Sequence, residues 1–323
     1  MRARTLLLLV AVPVTLVAGL AVGAVPVAPA DVWRALRDPG APAAAIVRDV
    51  RAPRVLLAFL VGGSLSVSGA GLQALVRNPL ADPYLLGLAG GASVGAVLAI
   101  AAGAPSPWIV PAAAFAGAVA AVALVYRLAL VAGHRLDPRV LLLGGVVVGA
   151  FAGAITSAVS ALSSAERLRD AALWLLGGFG GASWRALGVV GAYAVAPLAV
   201  LASQARALDL LVLGDEPALH LGADVARTRR LVFLAASLLV AACVAAAGVV
   251  GFVGLVAPHV VRRVWTPLHA RALPLAFLLG GAFLVLADLV ARSVVRPLEL
   301  PVGVVTALVG VPLFLVLLRR QVA

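Results

Sequence analysis

The groups able to move a proton or hold a metal are few in this chain: 13 carboxylates, 4 histidines and 1 cysteine in 323 residues. Within the apolar runs Asp288 stands alone, with Arg292 four residues on. A carboxylate at membrane depth could couple a proton or ion to transport. The same spacing also makes an i,i+4 ion pair that fastens a helix end by about 0.2–0.5 kcal/mol, and this second reading carries more weight here. His259 follows Pro258 with no His, Cys or carboxylate at ligand spacing, so it reads as a helix-end polar residue. No metal site and no catalytic residue is expected. The chain lacks a G-x-x-x-x-G-K-[ST] loop and so cannot bind nucleotide in that way. Cys243 lies in an apolar run and allows no intrachain disulfide.

The elements that position these residues are set by composition. Hydrophobic residues make up 63% and charged residues 12% of the chain, with mean hydropathy +1.14. Soluble domains run about 45–50% apolar and about 25% charged, so a soluble enzyme, a nucleic-acid reader and a disordered chain are all excluded. The net charge of +12 comes from 25 arginines scattered between apolar runs, without the dense stripe of a nucleic-acid surface. A helix crossing the bilayer needs about 20 apolar residues. Runs of that kind lie near 5–25, 55–75, 84–103, 108–131, 140–162, 186–203, 230–249, 252–265, 273–291 and 303–318. The expectation is an all-α polytopic membrane protein of ten transmembrane helices. The first run also resembles a signal peptide, with Arg2 and Arg4 before it and small residues to Ala24, but its apolar stretch continues to Val27 and favours a retained helix. Fifteen arginines fall on the side that carries both termini and ten on the other, which places both termini in the cytoplasm.

Gly145, Gly149 and Gly153 share one helix face, as do Gly91 and Gly95. Such a face either packs closely on another helix or lines a cavity. The loop at about 204–229 is too polar to span and too apolar for a free linker. Leu208, Leu211 and Val212 suit one helical face, and Pro217, Ala218, Leu221 and Val225 a second short helix, with Asp215 as its N-cap. Two amphipathic helices there make a docking surface. Asp209, Asp215, Glu216 and Asp224 argue against a helix lying on anionic lipid.

Leu211 to Val225, with Leu213-Gly214-Asp215, Ala218, Leu221-Gly222 and Val225, resembles the coupling segment of permease subunits in ABC importers for iron–siderophore, haem and cobalamin. Further motifs follow in the same order: Arg51-Ala-Pro-Arg54, Val61 to Gln73, Arg77-Asn-Pro-Leu-Ala-Asp-Pro-Tyr-Leu-Leu-Gly87, Gly251 to Arg262, Leu286 to Arg292, and Glu299 to Thr306. The resemblance implies a single permease domain over residues 1–323 with the architecture of a type II ABC importer, in a bacterial inner membrane. It implies a pore between two copies of the chain, two ATPase subunits that bind ATP and magnesium, and an extracytoplasmic substrate-binding protein. No cofactor belongs to the chain itself, and no nucleic acid. Leu213, Gly214, Asp215, Glu216, Pro217, Ala218, Leu221 and Gly222 would receive the push of the ATPase. Arg51, Arg54, Arg292 and Arg296 would meet acidic residues of the binding protein. Trp174, Gly177, Gly178 and Phe179 resemble a W-x-x-G-G-F segment near the pore mouth, close to its form in cobalamin importers; with Gly145, Gly149 and Gly153 they are the pore or gating candidates. The rival class is a ten-span ion-coupled carrier of small metabolites, with Asp288 as its coupling group.

Overall fold

The computed structural model describes every residue except 1, 24, 105, 132–135, 296 and 323, and the backbone alone for 2 and 316–322. The described elements are helices: α1 (Arg2–Ala21), α2 (Pro29–Arg37), α3 (Ala52–Leu75), α4 (Leu88–Ala101), α5 (Ile109–Val131), α6 (Pro138–Ala161), α7 (Ala165–Leu175), α8 (Trp184–Ser203), α9 (Ala205–Val212), α10 (Asp215–His220), α11 (Val225–Ala247), α12 (Val253–Val264), α13 (His269–Ala291) and α14 (Val302–Val322). A π-helical turn at 45–51 leads into α3, and a 3-10 turn at 83–86 leads into α4.

The core forms around α3, whose stretch Gly62–Gly71 is small and almost wholly buried. A Cβ at Gly62 would sit 2.3 Å from the Gly280 carbonyl of α13, and one at Gly69 1.8 Å from the Gly254 carbonyl of α12. Hydrophobicity cannot drive helices together in lipid, so this backbone approach supplies the dispersion contacts that do. Helix α11 packs against α3, α5 and α8, and α4 lies along α5. Helix α1 packs on α13, where Leu8 and Val12 meet Ala282.

Among the described residues seven helical segments are long and apolar enough to cross a membrane: 3–21, 45–75, 109–131, 138–161, 184–203, 225–247 and 269–291. Leu88–Ala101 and Val302–Leu315 are shorter apolar helices, and α12 has 12 residues. Of the ten apolar runs, those at 84–103 and 252–265 form short helices: at 1.5 Å per residue, α4 is about 21 Å long and α12 about 18 Å. The two run short for one physical reason. After α3 the chain turns at Arg77 (φ 52°), Asn78 and Asp82, and the side chain of Asp82 accepts from Tyr84 N at 2.9 Å. Asn78-Pro79 and Asp82-Pro83 do break the helix, yet the turn does not stay at the surface. Pro83 packs against Gly254, which in turn abuts the Leu65 carbonyl ten residues before the end of α3. On the other side α11 stops at Gly248 (φ 68°) and the chain resumes helix after Phe252 (φ 68°). Tyr84 Oη donates to the Val250 carbonyl at 3.2 Å and accepts from Val250 N at 3.3 Å. Non-helical backbone at membrane depth needs such partners within the protein, and the two breaks supply them to each other.

Candidate functional site

The surface at the α9–α10 corner is built by splitting apolar residues between two faces. Leu208, Leu211 and Ala218 are buried and hold the corner on the bundle. Val212, Leu213, Leu219 and Leu221 point outward, with 52–61% of their surface exposed. Val212 thus leaves the face that the sequence suggested it shared with Leu208 and Leu211. Glu216, Pro217 and Gly222 are exposed as well. Gly214, at φ 116°, occupies the N-cap position of α10. Asp215, expected there, is instead the first helical residue and uses its carboxylate elsewhere: Arg229 of α11 donates to it at 2.7 Å, and Arg77 lies 3.8 Å away. Asp209 of α9 accepts from His269 N at 2.9 Å and meets His269 Nδ1 at 2.6 Å, at the start of α13. The corner is therefore tied to α11, α13 and the turn that follows α3.

At the opposite end lies a cluster of charges. Asp288, 1% exposed, receives Arg54 Nε at 3.0 and 3.1 Å and Arg54 Nη2 at 2.8 Å. Arg292 Nε lies 3.4 Å from its other oxygen. Arg54 also reaches Glu299 at 3.0 and 2.8 Å. Arg51 donates to the carbonyls of Leu20, Ala21 and Val25, and Arg292 to that of Gly19. These carbonyls close the C-terminal end of α1, where a cation is favoured. Burial lowers the Arg292 guanidinium from its usual range, and the Asp288 charge opposes that shift. Arg51 and Arg292 are buried and Arg54 partly so, and through these contacts the three cross-link α1, α3 and α13. Arg48 is half-buried, and Arg296 lies outside the described residues.

The pore candidates separate in the same way. A Cβ at Gly145 would stand 2.1 Å from the Leu85 carbonyl, so this glycine is a contact point between α6 and the 3-10 turn. Nothing lies within 4 Å of a Cβ placed at Gly149, Gly153 or Gly178. Gly177 (φ 73°) and Gly178 belong to a knot: Gly178 N donates to the Ala247 carbonyl at 2.8 Å, and Val302 N donates to the Gly177 carbonyl at 3.0 Å. Trp174 is half-buried, and Phe179 is buried at 1%. The segment thus joins the ends of α7, α11 and α14. Among the described residues no three His, Cys, Asp or Glu gather as a metal-binding group.

The model of the FecCD transport family matches residues 8–320. The chain belongs to this family. Within the FecCD family it is 46% identical to the cobalamin import system permease protein BtuC of Halobacterium salinarum over 278 residues, covering 85% of this chain and 74% of that one. It is 40% identical over 324 residues to the achromobactin transport system permease protein CbrC of Dickeya dadantii, covering 98% and 91%. With the hemin transport system permease protein HmuU of Yersinia pestis it shares 40% over 285 residues, covering 84% and 83%. A solved structure of a metal-chelate type ABC transporter in an inward-facing conformation superposes with TM-score 0.88 and 31% identity, over 99% of this chain and 100% of that one.

Sequence reasoning missed Arg77 and Arg229 as partners of Asp215, and His269 as the partner of Asp209. It also missed Arg54 and Glu299 around Asp288, although all three lie in quoted motifs. Charges of opposite sign in different motifs were the available signal; which of them pair is decided only by the crossing of α3 and α13.

Proposed function

We propose that the chain is the membrane-spanning subunit of an ATP-driven importer, passing a metal chelate such as an iron–siderophore, haem or cobalamin into the cytoplasm. The observation that carries this is the α9–α10 corner, an exposed apolar surface anchored through Asp215 and Asp209 to α11, α13 and the turn after α3. A push on that surface reaches the pore helices through the connection that starts at Arg77 and ends in the 3-10 turn at 83–86, which packs on Gly145 of α6. ATP and magnesium are bound by the partner ATPase, and the chain contributes no catalytic group. A second copy packs against α6, where Leu143, Val146, Val147 and Phe151 are exposed beside the open Gly149 and Gly153. Both termini lie in the cytoplasm, and the chain passes the inner membrane ten times counting the short helices. The binding protein docks over the outer end, on a face that Arg51, Arg54 and Arg292 hold in shape from within and that Arg48 borders. The ion-coupled reading loses its coupling group, since Asp288 is shared by two guanidiniums.

The test is purification from the native host with gentle detergent. The chain should bring an ABC ATPase in equal amount, and Leu213→Asp with Leu219→Asp should lose it while the permease elutes unchanged. A chain that purifies alone in several mild detergents, or a double variant that keeps its ATPase, would overturn the proposal.

A further inference from the structure

Helices α5 and α8 both lie on α11, and toward their outer ends a cavity of about 990 Å3 opens between them. Its floor is the small-residue face of α11 at Ala242, Ala245 and Ala246. At depth, α5 and α8 meet through Phe115 and Tyr193, whose rings are 5.3 Å apart. Tyr193 is nine residues into α8, about 13 Å below its start at 1.5 Å per residue, so the cavity is about as deep as one leaflet's hydrocarbon layer. Helix α7 contributes Leu173 and Trp174 to its wall.

The rim differs from the walls. Arg185, at the start of α8, lies with its guanidinium 4.7 Å above the Trp108 ring, and Asp170 of α7 also lines the cavity. Both side chains are exposed, and among the described residues Asp170 forms no ion pair. One cation and one carboxylate thus stand over an aromatic-walled slot between two membrane-spanning helices. Drug-sized sites run about 300–1,000 Å3, and this one is at the top of that range.

We propose that this cavity binds one phospholipid of the outer leaflet with an amine-bearing zwitterionic headgroup. An acyl chain fills the slot down to Phe115 and Tyr193, Arg185 holds the phosphate, and Asp170 holds the primary ammonium. The headgroup follows from charge complementarity. An anionic headgroup without an amine would satisfy Arg185 and face Asp170 unfavourably, and a quaternary amine could not donate a hydrogen bond to that carboxylate.

The test uses the full chain in nanodiscs of phosphatidylcholine carrying equal minor fractions of phosphatidylethanolamine and phosphatidylglycerol, released and weighed by native mass spectrometry. The wild type should keep one phosphatidylethanolamine per chain. Ala246→Phe, which fills the floor, should lose it. Asp170→Ala with Arg185→Ala, at exposed positions that leave folding intact, should reduce the preference for phosphatidylethanolamine about tenfold, the equivalent of one charge-assisted hydrogen bond. Equal retention of all three lipids by the wild type, or an unchanged preference in the double variant, would overturn the proposal. Unchanged retention by a folded Ala246→Phe protein would also do so.

Discussion

Three glycines four residues apart on α6 should respond differently to the same methyl group. At Gly145 an added Cβ meets the Leu85 carbonyl at 2.1 Å and the Leu86 Cα at 2.7 Å, where ordinary contact begins at 3.4 Å. Backbone must therefore shift by about 1 Å, and overpacking of this kind costs about 1–3 kcal/mol. The Ala substitution returns up to about 1 kcal/mol of helix propensity at any of the three positions. At Gly149 and Gly153 nothing of the same chain lies within 4 Å, so in the single chain dispersed by detergent only the gain applies. Gly145→Ala should thus fall about 2 kcal/mol below Gly153→Ala, a gap of about 3 °C in melting temperature at about 2.1 cal/mol/K per residue. Thermal challenge in detergent, followed by the height of the size-exclusion peak, reads this directly. If Gly145→Ala and Gly153→Ala melt together, the close approach of α6 to the 3-10 turn is wrong.

Asp288→Ala leaves two buried guanidiniums short of an acceptor, and breaking a buried pair costs about 3–5 kcal/mol; Glu299 compensates part of this for Arg54, and the melting temperature should still fall sharply. Tyr84→Phe removes the group that satisfies both Val250 N and its carbonyl, at about 1–3 kcal/mol, and should show as faster proteolysis near the α11–α12 break. Asp215→Asn weakens the tie to Arg229 and Arg77; it should leave ATPase binding in place yet slow substrate uptake in vesicles, and unchanged uptake would remove this link from the coupling path.

That two short helices meet at Gly214 was legible in the sequence, because the alternation of leucines with Gly214 and Pro217 is a local signal. The depth of the segments was not. Hydropathy scores apolarity and not position, so the run 84–103 absorbed Tyr84–Gly87, which the structure shows as a turn packed against Gly254. The partners of Arg54 were hidden for a related reason: its motif marks where it lies along the chain, but Asp288, which it faces, is 234 positions away. Glycine spacing likewise names a face without naming its neighbour.

The paired breaks at 82–87 and 248–252 also set an order of events at birth. Tyr84 and Val250 are 166 residues apart, so at about 5–20 residues per second the ribosome needs roughly 10–30 s to deliver the second after the first. For that interval α4 is too short to cross the bilayer alone, and Tyr84 in its turn lacks the Val250 backbone groups it pairs with. The first half of the chain must wait at the insertion machinery, or at the membrane surface, until α11 and α12 arrive. With Cys243→Ala and Ser93→Cys to place the sole thiol in α4, a truncation ending before Gly248 should therefore leave that thiol accessible to water-soluble cysteine reagents, and extension through Val264 should protect it.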